Sequence, residues 1–140
     1  MNTLDIALKE YGIWEWPGNE HNPRVLNYFK DIGHGWVKDD ETAWCAAFMN
    51  WCLVKSGKPQ TGSLAARSFL SYGVSTKNPQ LGDIAVFWRG SKEGQEGHVG
   101  LYISETPNFV YVLGGNQLDQ VNISKISKAK LLDYRQIPKV

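Results

Sequence analysis

No stretch of this sequence approaches the ~20 consecutive apolar residues that a membrane-spanning helix requires. Cysteine and histidine are scarce, two and three among 140 residues. So few, so scattered, make no zinc-type ligand spacing, and no metal or other cofactor is expected. Net charge is nearly absent too: 15 bases against 14 acids leave a formal +1, too weak to suggest nucleic acid or a membrane surface as partner. The imbalance is local, with eight acids against four bases in residues 1–50 and five bases against one acid in residues 120–140. The acids read as solvated faces, whereas the basic end could touch an anionic polymer. Met1-Asn2-Thr3-Leu4-Asp5 has neither a basic start nor a long apolar core. No signal peptide is read there, so synthesis in the cytoplasm is expected, with delivery to any other site by a separate route. A disulfide is not expected either. Cys45 and Cys52 are seven apart on one predicted helix, which places their Cα atoms ~10.5 Å apart, beyond the ~7 Å limit.

What the chain does have is an ordinary globular composition, 42% hydrophobic and 21% charged, with six Trp and six Tyr. That suits one domain over residues 1–140 with a core of its own. Aromatics in this number can fill a core or line a groove for sugars or peptides.

The front half reads as helices. Thr3 can cap a helix carrying Leu4, Ile6, Ala7, Leu8 and Tyr11, and Trp14 to Asn22 forms a loop. Pro23 suits the first turn of a second helix through Ile32. A central helix runs from Ala43 to Lys55, and Ser63 caps a shorter one reaching Leu70. After Pro79 the pattern becomes stranded: Asp83–Arg89, His98–Ile103, Phe109–Leu113, Gln120–Ser124 and Leu131–Arg135. The connections are too short for helical crossovers, so the strands are antiparallel. Helices first and about five strands afterwards predict an α+β fold.

Three residues stand out chemically. Cys45 follows a short polar run and opens the central helix, where unpaired amides and the helix dipole favour a thiolate. His98 opens a strand, and Asn116 closes the next in Gly114-Gly115-Asn116-Gln117. A thiol, an imidazole and an amide in that set can act as nucleophile, base and orienting group. Each also has a plainer reading: Cys45 as a small core residue, His98 as the start of an edge strand, Asn116 as turn chemistry. For Asn116 the turn and the orienting role both stay open, and Gln117 is a second candidate for that role. Cys52 reads as core, and His21 and His34 as loop residues. Asp40 and Glu41 suit capping of the central helix, and Asp83 suits structural hydrogen bonding.

Trp44-Cys45-Ala46-Ala47-Phe48, Leu81-Gly82-Asp83-Ile84-Ala85-Val86-Phe87, Gly97-His98-Val99-Gly100-Leu101-Tyr102 and Gly114-Gly115-Asn116-Gln117, in that order, resemble the CHAP-type cysteine, histidine-dependent amidohydrolase/peptidases of the papain-like group. The resemblance covers roughly residues 40–120. It implies a papain-like fold and cleavage of an amide bond in bacterial peptidoglycan, by an N-acetylmuramoyl-L-alanine amidase or an endopeptidase. Cys45 is then the nucleophile, His98 the base and Asn116 the third group; beside these, Trp44 and Gln117 are expected as substrate contacts on their position alone. The chain departs from the pattern at Gly114, where many such proteins place a Glu. The oxyanion is expected on the Cys45 amide and a second donor sought between Asp39 and Trp44. A phage endolysin released by a holin, or an effector injected by a secretion system, would act this way at the cell wall or periplasm. It would work as a monomer with peptidoglycan as its partner and no inhibitor protein identified. The competing readings are a binding module on the same fold and a papain-like peptidase acting on another protein.

Overall fold

The computed structural model of the chain describes residues 2–16, 21–37 and 44–138. Within these, α1 (Thr3–Leu8) is capped by Asn2, whose Oδ1 accepts from the Asp5 amide at 2.8 Å. The expected cap, Thr3, instead pairs its hydroxyl with that of Ser56 at 2.8 Å, which ties the start of α1 to the end of the central helix. Pro23 opens α2 (Pro23–Lys30) behind an Asn22 cap, as its fixed φ favours. The central helix, α3 (Cys45–Lys55), is buried at every position from Cys45 to Leu53. A helix apolar on all sides belongs inside a domain, and α3 packs against α1 and α2 on one side and the sheet on the other. The helix expected after Ser63 is a 3-10 turn, Ala66–Ser71. Ser63 Oγ accepts from the Ala65 amide at 3.0 Å, closing a local turn where a cap was expected. Of the expected loop from Trp14 to Asn22, residues 17–20 lie outside the described residues.

The sheet is antiparallel, in the order β1-β6-β2-β3-β4-β5. Its members are β1 (Val74–Thr76), β2 (Ile84–Trp88), β3 (Gly97–Glu105), β4 (Phe109–Gln117), β5 (Gln120–Ser127) and β6 (Leu131–Gln136). Five match the expected strands; β1 is an additional three-residue edge strand paired to β6. β2 to β5 form a meander, after which β6 crosses back to pair with β2. Side chains alternate between faces as strand geometry dictates. Ile84, Val86, Val99, Leu101 and Leu113 join the helical core. Ala85, Phe87, Tyr102, Val110, Val112 and Tyr134 form a second cluster.

One feature of the sheet positions everything that follows. β3 and β4 pair from Leu101↔Leu113 to Glu105↔Val110, with a register shift between Tyr102 and Ser104. Before Leu101, β3 remains paired only to β2, and beyond Leu113, β4 remains paired only to β5. The ladder between the two strands ends there, and the first turn of α3 sits against that end.

Candidate active site

Cys45 is the first residue of α3, and the N-cap before it is Trp44, whose side chain makes no capping hydrogen bond. Indole has no acceptor to offer, so the first-turn amides and the positive end of the helix dipole remain available to the thiol. The approach of this turn to the sheet depends on two glycines. A Cβ on Gly115 would lie 2.7 Å from Phe48 Cβ and 2.8 Å from the Trp44 ring. A Cβ on Gly114 would lie 2.7 Å from Gln117 Oε1. Side chains at either position would push the helix, or the Gln117 carboxamide, away.

The thiol meets β3 where its pairing with β4 has stopped. Arg89 N–H donates to Glu96 O and Tyr102 N–H to Asp83 O, so alternate residues of β3 bond towards β2 and Val99 points the other way. The β3–β4 ladder ends at Leu101↔Leu113, and the Val99 amide favours a thiolate on Cys45. Burial by itself would raise the Cys45 pKa, but His98, the Val99 amide and the charge of Arg89 together bring it below that of an ordinary thiol. Burial would likewise lower the His98 pKa, and it is outweighed by Cys45 and by a hydrogen bond to Gln117, so the imidazole titrates above its usual value. Both shifts favour the same species, a thiolate beside an imidazolium.

The tautomer of His98 follows from its surroundings. Its Nε2 lies 2.8 Å from Gln117 Oε1. The Gln117 amide cannot be reversed, because its Nε2 donates to the backbone carbonyls of Val112 and Asn122, at 3.2 and 2.8 Å, and to Asn122 Oδ1 at 2.9 Å. Carbonyl oxygens only accept. Asn122 is fixed in the same way: its Nδ2 donates to Gln117 O at 3.0 Å, and its Oδ1 also accepts from Ser124 Oγ at 2.7 Å. His98 Nε2 therefore carries a hydrogen and donates to Gln117. That leaves Nδ1, buried and without a conventional hydrogen-bond partner, as the nitrogen that exchanges a proton with the thiol.

The side chain that meets His98 Nε2 is thus Gln117, the second candidate, and not Asn116. The correction has a physical cause. Gly114 opposes Asn122 while Gln117 opposes Gln120, so β4 carries one extra residue, a β-bulge, with Asn116 at φ 58°. Simple alternation from Val112 through Gly114 would have turned Asn116 towards His98. The bulge hands that position to Gln117, as bulges re-aim side chains. Asn116 instead lines the cavity beside the site. The expected turn at Gly114-Gly115 is also displaced: β4 continues to Gln117, and the hairpin turns at Leu118-Asp119, both at positive φ.

Burial also bears on the two expected substrate contacts. Trp44 is fully buried, its indole stacked on Tyr28 at 5.8 Å and donating to Glu15 Oε1 at 2.9 Å. It supports the helix start from behind and offers no surface to a substrate. Gln117, the other expected substrate contact, is 6% exposed; its carboxamide oxygen is engaged by His98, and it contributes to the wall of the adjoining cavity. Cys45 and Cys52 are free thiols. Burial holds the Cys52 pKa well above the ordinary value, so Cys52 is inert core. Residues 38–43, which include Asp40, Glu41 and most of the span searched for a second oxyanion donor, lie outside the described residues. Among the described residues, no three His, Cys, Asp or Glu side chains gather to hold a metal.

The CHAP domain family matches residues 37–116, which contain Cys45, His98 and the bulge up to Asn116. A solved structure described as similar to a lipoprotein of the NLP/P60 family, from Staphylococcus aureus subsp. aureus Mu50, has a TM-score of 0.52 to this chain at 20% identity. The alignment covers 98% of this chain and 41% of that one, so the chain spans well under half of that protein, and the likeness is one of papain-like fold. No curated protein sequence matches the chain.

Proposed function

The chain belongs to the CHAP domain family of peptidoglycan hydrolases and peptidases, and from that premise we propose that it cleaves an amide bond in bacterial peptidoglycan with Cys45 as nucleophile, His98 as acid and base, and Gln117 as the group that orients His98. The observation that carries this reading is the position of the His98 ring, held through Nε2 by Gln117 and coupled through its other side to a thiol of lowered pKa.

The Cys45 thiolate attacks the carbonyl carbon, and the carbonyl electron pair moves onto oxygen, where the Cys45 amide at the start of α3 can donate to it. As the C–N bond breaks, His98 Nδ1 gives its proton to the departing amine. The acyl group is then a thioester on Cys45. Neutral His98 takes a proton from water, the hydroxide adds to the thioester, and the thiolate leaves. A carboxylic acid is released and the thiolate–imidazolium pair is restored. Throughout, Gln117 accepts the hydrogen on Nε2, so the ring keeps its orientation in both protonation states.

Mass spectrometry of purified sacculi incubated with the protein tests the proposal. A muramoyl-alanine amidase releases stem peptides with a new N-terminal alanine, whereas an endopeptidase exposes a new terminus within the stem or cross-bridge. Sacculi that yield neither would exclude the activity. The setting proposed is attack on a cell wall, at phage release or after injection into a competitor. A copy exported to the periplasm of a test bacterium should lyse it, and a copy carrying Cys45→Ala should not.

A further inference from the structure

A cavity of about 450 Å3 adjoins the proposed catalytic group, with His98 and Gln117 in its wall. Its other charged lining residues are Arg89, Lys125 and Lys130, and among the described residues no acidic side chain lines it. Four cations elsewhere sit in ion pairs, Arg24 with Glu10, Lys55 with Asp31, Lys128 with Glu105 and Arg135 with Asp133. The three around this cavity are gathered in one lining. Among the described residues, none of them makes an ion pair. Lys125 lies over the Phe109 ring at 4.5 Å and Lys130 over the Trp88 ring at 5.5 Å. Those contacts position an ammonium without cancelling its charge. Arg89 follows directly on β2, at the mouth of a loop that Arg67 braces by donating to the carbonyls of Glu96, Lys92 and Ser91. Its guanidinium makes no hydrogen bond among the described residues, yet its charge reaches both Cys45 and His98. At the rim, Leu118 stands 85% exposed at φ 51°, a conformation costly for leucine. It gives the cavity an apolar lip.

We propose that this cavity is the subsite for a peptidoglycan stem-peptide segment carrying free carboxylates, with Arg89, Lys125 and Lys130 as its recognition groups, so that the protein favours walls whose stem carboxylates are not amidated. This rests on the peptidoglycan reading above. Cys45 itself is not in the lining, so an occupant that reaches the thiol past His98 and also meets the three cations must carry its amide and its negative charge in one short segment. A stem peptide does so. A wall polyol phosphate has the charge, but no amide along its backbone. Unpaired cations at the edge of a low-dielectric cleft also concentrate anionic substrate there. A carboxylate bound by a guanidinium gains a charge-assisted hydrogen bond that a carboxamide cannot match.

The test is calorimetric binding of synthetic stem peptides, with carboxylates free or amidated, to the Cys45→Ala protein, which binds without cutting. The free form should bind at least ~10-fold more tightly, the loss expected when a hydrogen bond to a charged group is removed. Arg89→Gln should abolish most of that difference and leave the amidated peptide's affinity unchanged. Equal affinities, binding of neither peptide, or displacement of the peptide by a glycerol-phosphate oligomer would each overturn the subsite. Digestion of sacculi by the unmodified protein reports separately: cleavage without preference for free carboxylates keeps the peptidoglycan activity and removes this proposal alone.

Discussion

Cys45 and Cys52 sit on one helix, seven residues apart, and both are buried, at 6% and 0% exposure. Burial raises the pKa of each, yet Cys45 ends below the ordinary thiol value and Cys52 well above it. The difference comes from what each sulfur faces. Cys45 occupies the first turn, beside an imidazole, the Val99 amide and a distant guanidinium. Cys52 faces apolar neighbours and the negative charge of Glu10, which Arg24 and Tyr28 hold in place. Desolvation alone does not decide whether a thiol is reactive; the groups brought in with it do.

The largest expected contrast is in turnover. Cys45→Ala should reduce fragment release from sacculi by at least ~1000-fold, since the nucleophile is gone and only binding and oxyanion contacts remain. Its melting temperature should hold or rise, because a buried ion pair is replaced by an apolar side chain and His98 can become neutral. Next comes alkylation by iodoacetamide near neutral pH, read by peptide mapping. Cys45 should react at least ~100-fold faster than Cys52, in proportion to thiolate content. Equal rates would erase the comparison and favour a binding module.

The pH profile sharpens the same contrast. Activity should rise as Cys45 loses its proton, at a pH below that of an ordinary thiol. It should fall as the His98 imidazolium loses its proton, at a pH above that of an ordinary imidazole. Gln117→Leu removes a contact that raises the His98 pKa, so the alkaline limb should move to lower pH. We expect kcat to fall by ~10–100-fold, with KM little changed. Asn116→Ala should leave kcat within a factor of ~2, which separates the two assignments. Asn122→Leu, which frees the Gln117 amide to turn, should cost about tenfold in kcat and give the same direction of pH shift. The smallest effect belongs to Cys52→Ala: unchanged kcat on folded protein and about 1 kcal/mol of stability lost to the small cavity left behind.

The two ends of the site were unequally legible in the sequence. Cys45 and His98 could be found because each opens an element, and element starts carry local signals: a polar run giving way to apolar residues, a glycine before a strand. The helical and stranded halves were legible for the same reason, since periodicities of 3.6 and 2 are written in neighbouring residues. The third group was not. Whether Asn116 or Gln117 meets the ring depends on one extra residue in β4 relative to β5, a property of pairing between strands that neither strand contains alone. Trp44 misled for a related reason. Its position beside the nucleophile suggested a substrate contact, but its burial depends on Tyr28 and Glu15, many residues away. The edge strand Val74–Thr76 is not legible because three residues, two of them exposed, carry no alternation to read.

The space above Gly115 functions as a feeler gauge. The gap between helix and sheet is set by an atom that is missing, since a single methyl there would collide with Phe48 and Trp44 at under 3 Å. Gly115→Ala would leave the thiol, the imidazole, the carboxamide and every charge in place chemically. It would act as a shim, lifting the start of α3 and carrying the sulfur away from Nδ1. Reactivity here is therefore a machining tolerance as much as a matter of electrostatics. A protein so altered should fold, bind its peptide and hold its thiol proton like the inert cysteine two turns further along.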